Sequence, residues 1–322
     1  MERVREGSVI NPELAAAAPD SAPEVSVIVA HLNQPELLRG LLDTLFAQDF
    51  DMGRAEVIVV DNGSRALPEA AIAGFPGVRL AEEAQPGPGP ARNRGVGLAR
   101  APLVACTDAD CRVARDWLPT ILARFAADPA LEVLGGDIRM LTEVPGDPTP
   151  AEAFECLYAY NQRDYIERQG FSVTANLAFR RAAFDRVGPF AGIEVAEDMD
   201  WGHRATAMGV RTRYAPDMVV YHPARRSMAE LFAKWDRNVS HHFNAQAKGA
   251  AGRVKWVLRA FALVAAVPVE IPRIARTDRL AGFRARWRAF LGMAALRGYR
   301  ARAMLAAFRP AARGGNLEWN RD

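Results

Sequence analysis

Cysteine is scarce in this sequence. Three residues in 322, Cys106, Cys111 and Cys156, form no CxxC pair and no regular spacing, which excludes a disulfide framework and a structural zinc site and fits a reducing, cytoplasmic compartment. Long apolar runs are missing as well. The nearest, Trp256 to Val267, is broken by Arg259 and closed by Pro268, short of the roughly 18 to 20 residues that a spanning helix needs. The opening MERVREGSVINPELAAAAPD has no apolar stretch of secretory type and carries acid, unlike a transit peptide. Residues 1–23 therefore read as a loose arm. Acid is nearly absent from the last stretch: residues 250–322 hold 15 Lys/Arg against 4 Asp/Glu, whereas the residues before them hold 26 against 34. A tail at +11 beside a body at −8 points to an anionic surface as the tail's partner and to a different task for the body.

With 50% hydrophobic and 25% charged residues, disorder is excluded as the main theme, and what is present is an α/β pattern. Val25–Ala30 and Glu56–Val60 are β-branched runs that read as buried strands, with Leu37, Leu38, Leu41, Leu42 and Leu45 at helical spacing between them. Strand, helix, strand is a βαβ unit. A helix over Ala66–Ala73 and a strand over Val78–Leu80 follow, then the loop Gln85–Pro90, a helix over Ala91–Ala99 and a strand over Leu103–Thr107. Further on the pattern predicts a strand at Val133–Met140 and a helix over Ala151–Gln169. Ser172–Arg180 reads as a strand, Ala182–Val187 and Ala196–Met208 as helices, and Thr212–Tyr214 and Met218–Tyr221 as two strands. Ser227 with Glu230 opens another helix as a capping box.

Ligands of open α/β sheets bind at the carboxyl ends of strands, so Asp61 and the pair Asp108/Asp110 mark where a nucleotide is held. Two carboxylates one residue apart suit a hard divalent ion such as Mg²⁺ or Mn²⁺, which keeps positions open for substrate phosphates. The same acids also suit the start of a helix. Arg92 is placed to pair with a phosphate or a carboxylate. Asp61 serves equally as an Asx-turn residue or as a contact to a base or ribose. Glu197, Asp198 and Trp201 open a predicted helix near a possible acceptor, where a carboxylate can act as general base. His222, at a strand end, is a candidate metal ligand.

In order and interval, Val27-Ile-Val-Ala-His-Leu-Asn33, Val57-Ile-Val-Val-Asp-Asn-Gly-Ser64, Ala91-Arg-Asn-Arg-Gly95, Thr107-Asp-Ala-Asp110, Thr174-Ala-Asn-Leu-Ala-Phe-Arg-Arg181 and Ala196-Glu-Asp198 resemble the family 2 glycosyltransferases, over roughly residues 24 to 240. The resemblance implies a GT-A fold, a Rossmann-like mixed sheet flanked by helices, to which the basic C-terminal stretch adds a helical extension. Residues 24–112 would be its nucleotide-binding half and 113–240 its acceptor half, with 241–322 as a basic amphipathic tail. It implies an inverting, metal-dependent hexosyltransferase whose donor is a UDP-, GDP- or dTDP-sugar and whose acceptor is a glycan or lipid-linked hydroxyl in cell-envelope or exopolysaccharide synthesis. On that resemblance Asp198 is the catalytic base. His31, Asn33, Asp61, Asn62, Arg92 and Asp108 meet the nucleotide sugar. Asn176, Glu197 and Trp201 meet the acceptor, and Asp108, Asp110 and His222 hold Mn²⁺ or Mg²⁺.

Two departures refine it. Ala30-His31-Leu32-Asn33 stands where the family usually has Pro-Thr-Tyr-Asn. No Gln-x-x-Arg-Trp motif of processive synthases occurs, which favours single addition. A nicotinamide-dependent Rossmann oxidoreductase fits worse: Gly87-Pro-Gly89 starts a GxGxxG, but Arg92 stands at the third glycine. A non-catalytic membrane-binding module is the other alternative. Nucleic acid is a poor partner for so acidic a body. In the tail, Phe283, Trp287, Phe290, Leu291 and Ala294 recur on one helical face beside Arg284 and Arg288, as in an interfacial helix on the inner face of a membrane or in a helix packed on the catalytic domain with its arginines solvated.

Overall fold

The computed structural model describes residues 22–246 and 249–308, apart from the side chains at 237, 238, 240–242 and 244–246. The expected arm lies outside them up to residue 21, as does the tail from 309. The chain begins β1 (Val25–His31), α1 (Pro35–Phe46), β2 (Ala55–Asp61), α2 (Glu69–Ile72), β3 (Val78–Glu82), α3 (Pro88–Leu98) and β4 (Leu103–Asp108). It continues through β5 (Arg112–Val113), α4 (Trp117–Ala127), β6 (Val133–Leu141), α5 (Pro150–Tyr158), α6 (Gln162–Asp164), β7 (Leu177–Arg180), α7 (Arg181–Val187), α8 (Glu197–Ala207) and β8 (Thr212–Pro223). The remaining helices are α9 (Met228–Gln246), α10 (Gly249–Ala265), α11 (Ile271–Arg276) and α12 (Gly282–Ala306).

These elements form two compact units. The first comprises described residues up to 139 together with 160–222, and the second comprises 140–159 and the described residues from 223. The second unit thus takes in 140–159 and resumes at 223, beside the expectation of a tail from residue 241.

The sheet has eight strands in the order β3-β2-β1-β4-β7-β6-β8-β5. β1 to β4 are parallel, while β7 runs antiparallel to β4 and to β6, and β5 antiparallel to β8. β1 lies between β2 and β4 with helices on both faces, which is why its sequence is an almost unbroken apolar run. Leu38, Leu41, Leu42 and Leu45 of α1 are wholly buried in one core layer, each contributing about 1.5–3 kcal/mol of transfer free energy. On the other face α3 rests so close to β1 that a Cβ at Gly95 would stand 2.3 Å from Ile28 Cγ2.

Some expectations needed correction. The helix predicted over 151–169 stops at Tyr158, because Tyr160 takes a left-handed φ of 49° and turns the chain; α6 and a π-helical turn, Tyr165–Gln169, follow. Of the strand expected from Ser172, only Leu177–Arg180 forms, after a 3₁₀ turn at Thr174–Asn176. The helix expected over 66–73 shrinks to Glu69–Ile72. The two short strands after residue 212 are one, β8, which runs on through Pro216.

In the second unit α5 begins with a complete capping box, Thr149 and Glu152. Its Ala153, Cys156 and Leu157 pack with Ile274, Leu280, Ala285, Ala289 and Met293. Gly292 permits this: a Cβ there would stand 2.1 Å from the Pro150 carbonyl oxygen. α12 thus buries Ala285, Ala289, Gly292, Met293 and Leu296, leaving Phe283, Trp287 and Leu291 of the predicted stripe exposed. Ser227 Oγ accepts from the Glu230 amide, while the Glu230 carboxylate accepts a hydrogen bond from the serine hydroxyl, which leaves the box half-formed.

Candidate functional site

The sheet register brings the strand-end acids together. His31 stands opposite Asp61 on β2, and Ala30 opposite Asp108 on β4, so both acids flank the end of β1. The two sides differ in chemistry. Asp61 is 1% exposed. Its Oδ2 lies 2.9 Å from His31 Nδ1, and its Oδ1 accepts the amides of Gly63 and Ser64. Burial opposes its charge, yet the His31 and Ser64 hydrogen bonds hold its carboxyl below the usual range. Asn62 donates to the carbonyls of Glu83 and Gln85 and accepts from Gly87, stapling the Gly/Pro loop. Asn33, at a φ of 52°, accepts from the Arg65 amide. The residues expected to touch a base are thus turned into the loop they shape.

On the β4 side, Arg92 is 3% exposed and bridges Asp108 Oδ1 at 2.6 Å and Glu197 Oε1 at 2.7 Å. Burial works against the guanidinium charge, but the two carboxylates raise its pKa above the ordinary value. Both terminal nitrogens meet protein carboxylates, which supply the counter-charges that a buried cation needs, while Nε is buried without a partner. Asn93 clamps the same helix to the segment before α8, donating to the Phe190 carbonyl and accepting its amide. Gly89 lets that segment close in, since a Cβ there would stand 2.0 Å from the Ala191 carbonyl oxygen. Sequence reasoning missed Asn93 and Gly89; their only trace was an amide between two arginines after a Gly/Pro loop.

Asp198, beside Glu197 at the start of α8, has its pKa raised by burial and by the Glu197 charge. Trp201, expected at the acceptor, is 1% exposed, packs among Phe179, Phe184 and Phe190, and donates to the Gly188 carbonyl. Asn176 is also internal. It accepts from Trp117 Nε1 and donates to the carbonyls of Asp137 and Met218.

The expected metal ligands assemble in part. Asp110 Oδ2 and His222 Nε2 lie 3.2 Å apart, with the Tyr160 hydroxyl 3.2 Å from the same nitrogen. Asp108 does not complete a triad, because Arg92 holds its Oδ1, and among the described residues no group of three metal-ligating side chains converges. A carboxylate oxygen and an imidazole nitrogen meeting at one point fit Mn²⁺ or Mg²⁺, which fill remaining positions with phosphate and water. Cys106 and Cys111 nearby are buried, and burial pushes the Cys106 thiol up to about 12.

Residues 26–188, just over half of the chain, match the sequence profile of Glycosyl transferase family 2. The chain belongs to that family. Glycosyltransferase AglE of Haloferax volcanii is 28% identical over 218 residues, covering 66% of this chain and 70% of the relative. Succinoglycan biosynthesis protein ExoO of Rhizobium meliloti is 33% identical over 136 residues, 38% of each chain. Among solved structures, the mannosyltransferase PcManGT from Pyrobaculum calidifontis, in complex with GDP-Man and Mn²⁺, aligns over 90% of this chain and 88% of its own, with a TM-score of 0.53 and 22% identity. That likeness shows the fold: this glycosyltransferase has the GT-A architecture, followed by C-terminal helices.

Proposed function

We propose that this glycosyltransferase moves a sugar from a nucleoside-diphosphate sugar to the hydroxyl of a glycan or lipid-linked acceptor, once per encounter and with inversion. One observation carries the reading. Asp198, a half-buried carboxylate with its proton affinity raised, is joined through Glu197 and Arg92 to the acid at the end of β4. A base poised this way takes the acceptor proton as the hydroxyl attacks the anomeric carbon in line. Asp110 and His222 would hold Mn²⁺ or Mg²⁺. When bound, that ion supplies Lewis-acid stabilisation of the departing diphosphate. Asp108, its side chain 32% exposed, keeps one carboxylate oxygen for the ribose. The closed group of His31, Asn33, Asp61 and Asn62 shapes the wall against which the base lies. The names of AglE, ExoO and PcManGT support glycan assembly and a sugar nucleotide with Mn²⁺.

Among the described residues no helix is long and apolar enough to cross a membrane. The second unit nevertheless exposes Val254, Leu258, Phe261 and Val264 of α10 and, beyond it, Val269 and Ile271. Residues 249–276 carry five Lys/Arg and one acid, Glu270, which is paired with Arg297. This charge pattern supports peripheral contact with an anionic bilayer, on α10 and α11 more than on the expected face of α12.

The test is a thermal-shift panel of UDP-, GDP- and dTDP-sugars with and without Mn²⁺. One donor should raise Tm, more strongly with the ion. No shift with any of them overturns the reading.

A further inference from the structure

Tyr160 brings a third polar group to the point where Asp110 and His222 meet. It stands at the break between α5 and α6 with a φ of 49°, a left-handed conformation that is uncommon for a bulky residue and that glycine or asparagine adopts at less cost. The residues that follow hold it there. The Gln162 amide donates back to the Tyr160 carbonyl at 2.8 Å across Asn161, whose φ of −77° and ψ of 66° make an inverse γ-turn. Gln162 is 1% exposed, and its side chain donates to the Gly136 carbonyl and to Ser172 Oγ and accepts the Val173 amide. Backbone strain persists where surrounding contacts over-determine it in this way, and it concentrates at functional sites.

The phenol is aimed at one atom. β5 pairs Arg112 with Tyr221 of β8, which brings His222 to Asp110, and the Tyr160 hydroxyl lies 3.2 Å from His222 Nε2, the nitrogen that stands 3.2 Å from Asp110 Oδ2. The two rings are 5.0 Å apart between centroids and tilted by 47°, and the phenol ring also packs on the core of the first unit. A cation on that nitrogen is incompatible with the hydrogen bond. Nε2 carries either one in-plane lone pair or one proton, so a nitrogen that ligates an ion neither accepts from the phenol nor donates to it, whichever tautomer precedes binding. The Tyr160 O–H then faces the ion's other ligands. Only the hydroxyl hydrogen has to turn, because the ring is already fixed, and a phosphate oxygen on the same ion is a strong acceptor.

We propose that Tyr160 is a diphosphate-binding residue of this glycosyltransferase: its hydroxyl pairs with His222 Nε2 as long as that nitrogen ligates nothing, and otherwise donates to an oxygen of the departing diphosphate. This rests on the reading of Asp110 and His222 as cation ligands. Tyr160 serves the anion instead of the ion, and its hydrogen bond strengthens as negative charge grows on the leaving group.

Calorimetry on the full chain separates the two roles, with Mn²⁺ alone as one probe and UDP, GDP and dTDP in saturating Mn²⁺ as the others. Tyr160→Phe keeps the ring and removes only the hydroxyl. It should leave the affinity for Mn²⁺ alone within about twofold of wild type and weaken the best-bound nucleoside diphosphate about tenfold or more, as expected for a lost charge-assisted hydrogen bond. Tyr160→Asn, which suits the left-handed turn and lacks the phenol, should show the same selective loss. His222→Ala, by contrast, should weaken Mn²⁺ itself about tenfold or more. If Tyr160→Phe loses affinity for Mn²⁺ alone, the phenol is a mount for the imidazole, and if it binds the nucleoside diphosphate as wild type does, the hydroxyl does not meet the anion; either result overturns the proposal. Unchanged Mn²⁺ binding in His222→Ala, or a wild-type chain that binds none of the three nucleotides, removes the cation or sugar-transfer reading and this proposal with it.

Discussion

Asp61 closes β2 and Asp110 follows β4, the parallel strands on either side of β1, yet the two do opposite things. Asp61 receives three donors and is closed to solvent. Asp110 meets His222 and keeps its side chain 23% exposed. Asp198 belongs with the open group, its proton held more tightly by burial and Glu197. A carboxylate saturated by backbone amides has done its work in building a turn, whereas one with unfilled lone pairs can still take a cation or a proton. Closed acids should therefore govern stability and open ones turnover.

The sharpest break in that contrast comes from Asp198→Asn. It should lower turnover by about 10²- to 10⁴-fold, the usual worth of a general base, while donor-induced Tm shifts persist. Because the folded state holds the Asp198 proton above its ordinary pKa, the stabilisation from this group is present at low pH and is lost as pH rises through the raised value. The variant should accordingly match or exceed the wild-type Tm at neutral pH, with the gap shrinking on acidification. Wild-type turnover would remove Asp198 from the role.

Next, excess EDTA or Asp110→Ala should reduce transfer by about a hundredfold or more and abolish the Mn²⁺-dependent part of the donor shift, read by calorimetry. Full activity in the chelator would place Asp110 among the closed acids. Asp61→Asn tests the other side, and the cost should appear in unfolding: about 1–3 kcal/mol for disrupting a buried network, with turnover changed little in the folded fraction. Asp61 has a lowered pKa, so its contribution is present above the unfolded value and fades as pH falls through the folded one. Wild-type and variant melting curves should therefore converge in acid. The smallest effect is expected from Leu258→Asp with Phe261→Asp, which should weaken sedimentation with anionic vesicles about tenfold or more and leave transfer to a water-soluble acceptor unchanged.

Much of the first unit was legible because its strands are buried on both faces. Val25–Ala30, Glu56–Val60 and Leu103–Thr107 are largely β-branched or apolar runs, and strand polarity puts the acids that follow them at the ligand-binding edge of the sheet. Less could be read where the local signal was neutral. The turn at Tyr160 has neither glycine nor proline to mark it, and α4 has no cap hydrogen bond at Asp116. Trp201 shares the helical face expected of it with Glu197, but periodicity states only that two residues lie on one side, and the Phe179–Phe184–Phe190 cluster decides that this side is core. The polar Asn176 was likewise open to a binding or a structural role until its three partners were located.

By itself, the sequence determined the family, the order of strands and helices in the nucleotide half, the places where carboxylates gather and the uneven charge of the two ends, because each is written in local spacing and composition. Only the tertiary structure decided which carboxylates are spent. Which acids meet Arg92 and whether Asp61 is open or closed depend on residues up to 105 positions apart meeting within hydrogen-bond distance, and burial then sets the cost of leaving any of them unpaired.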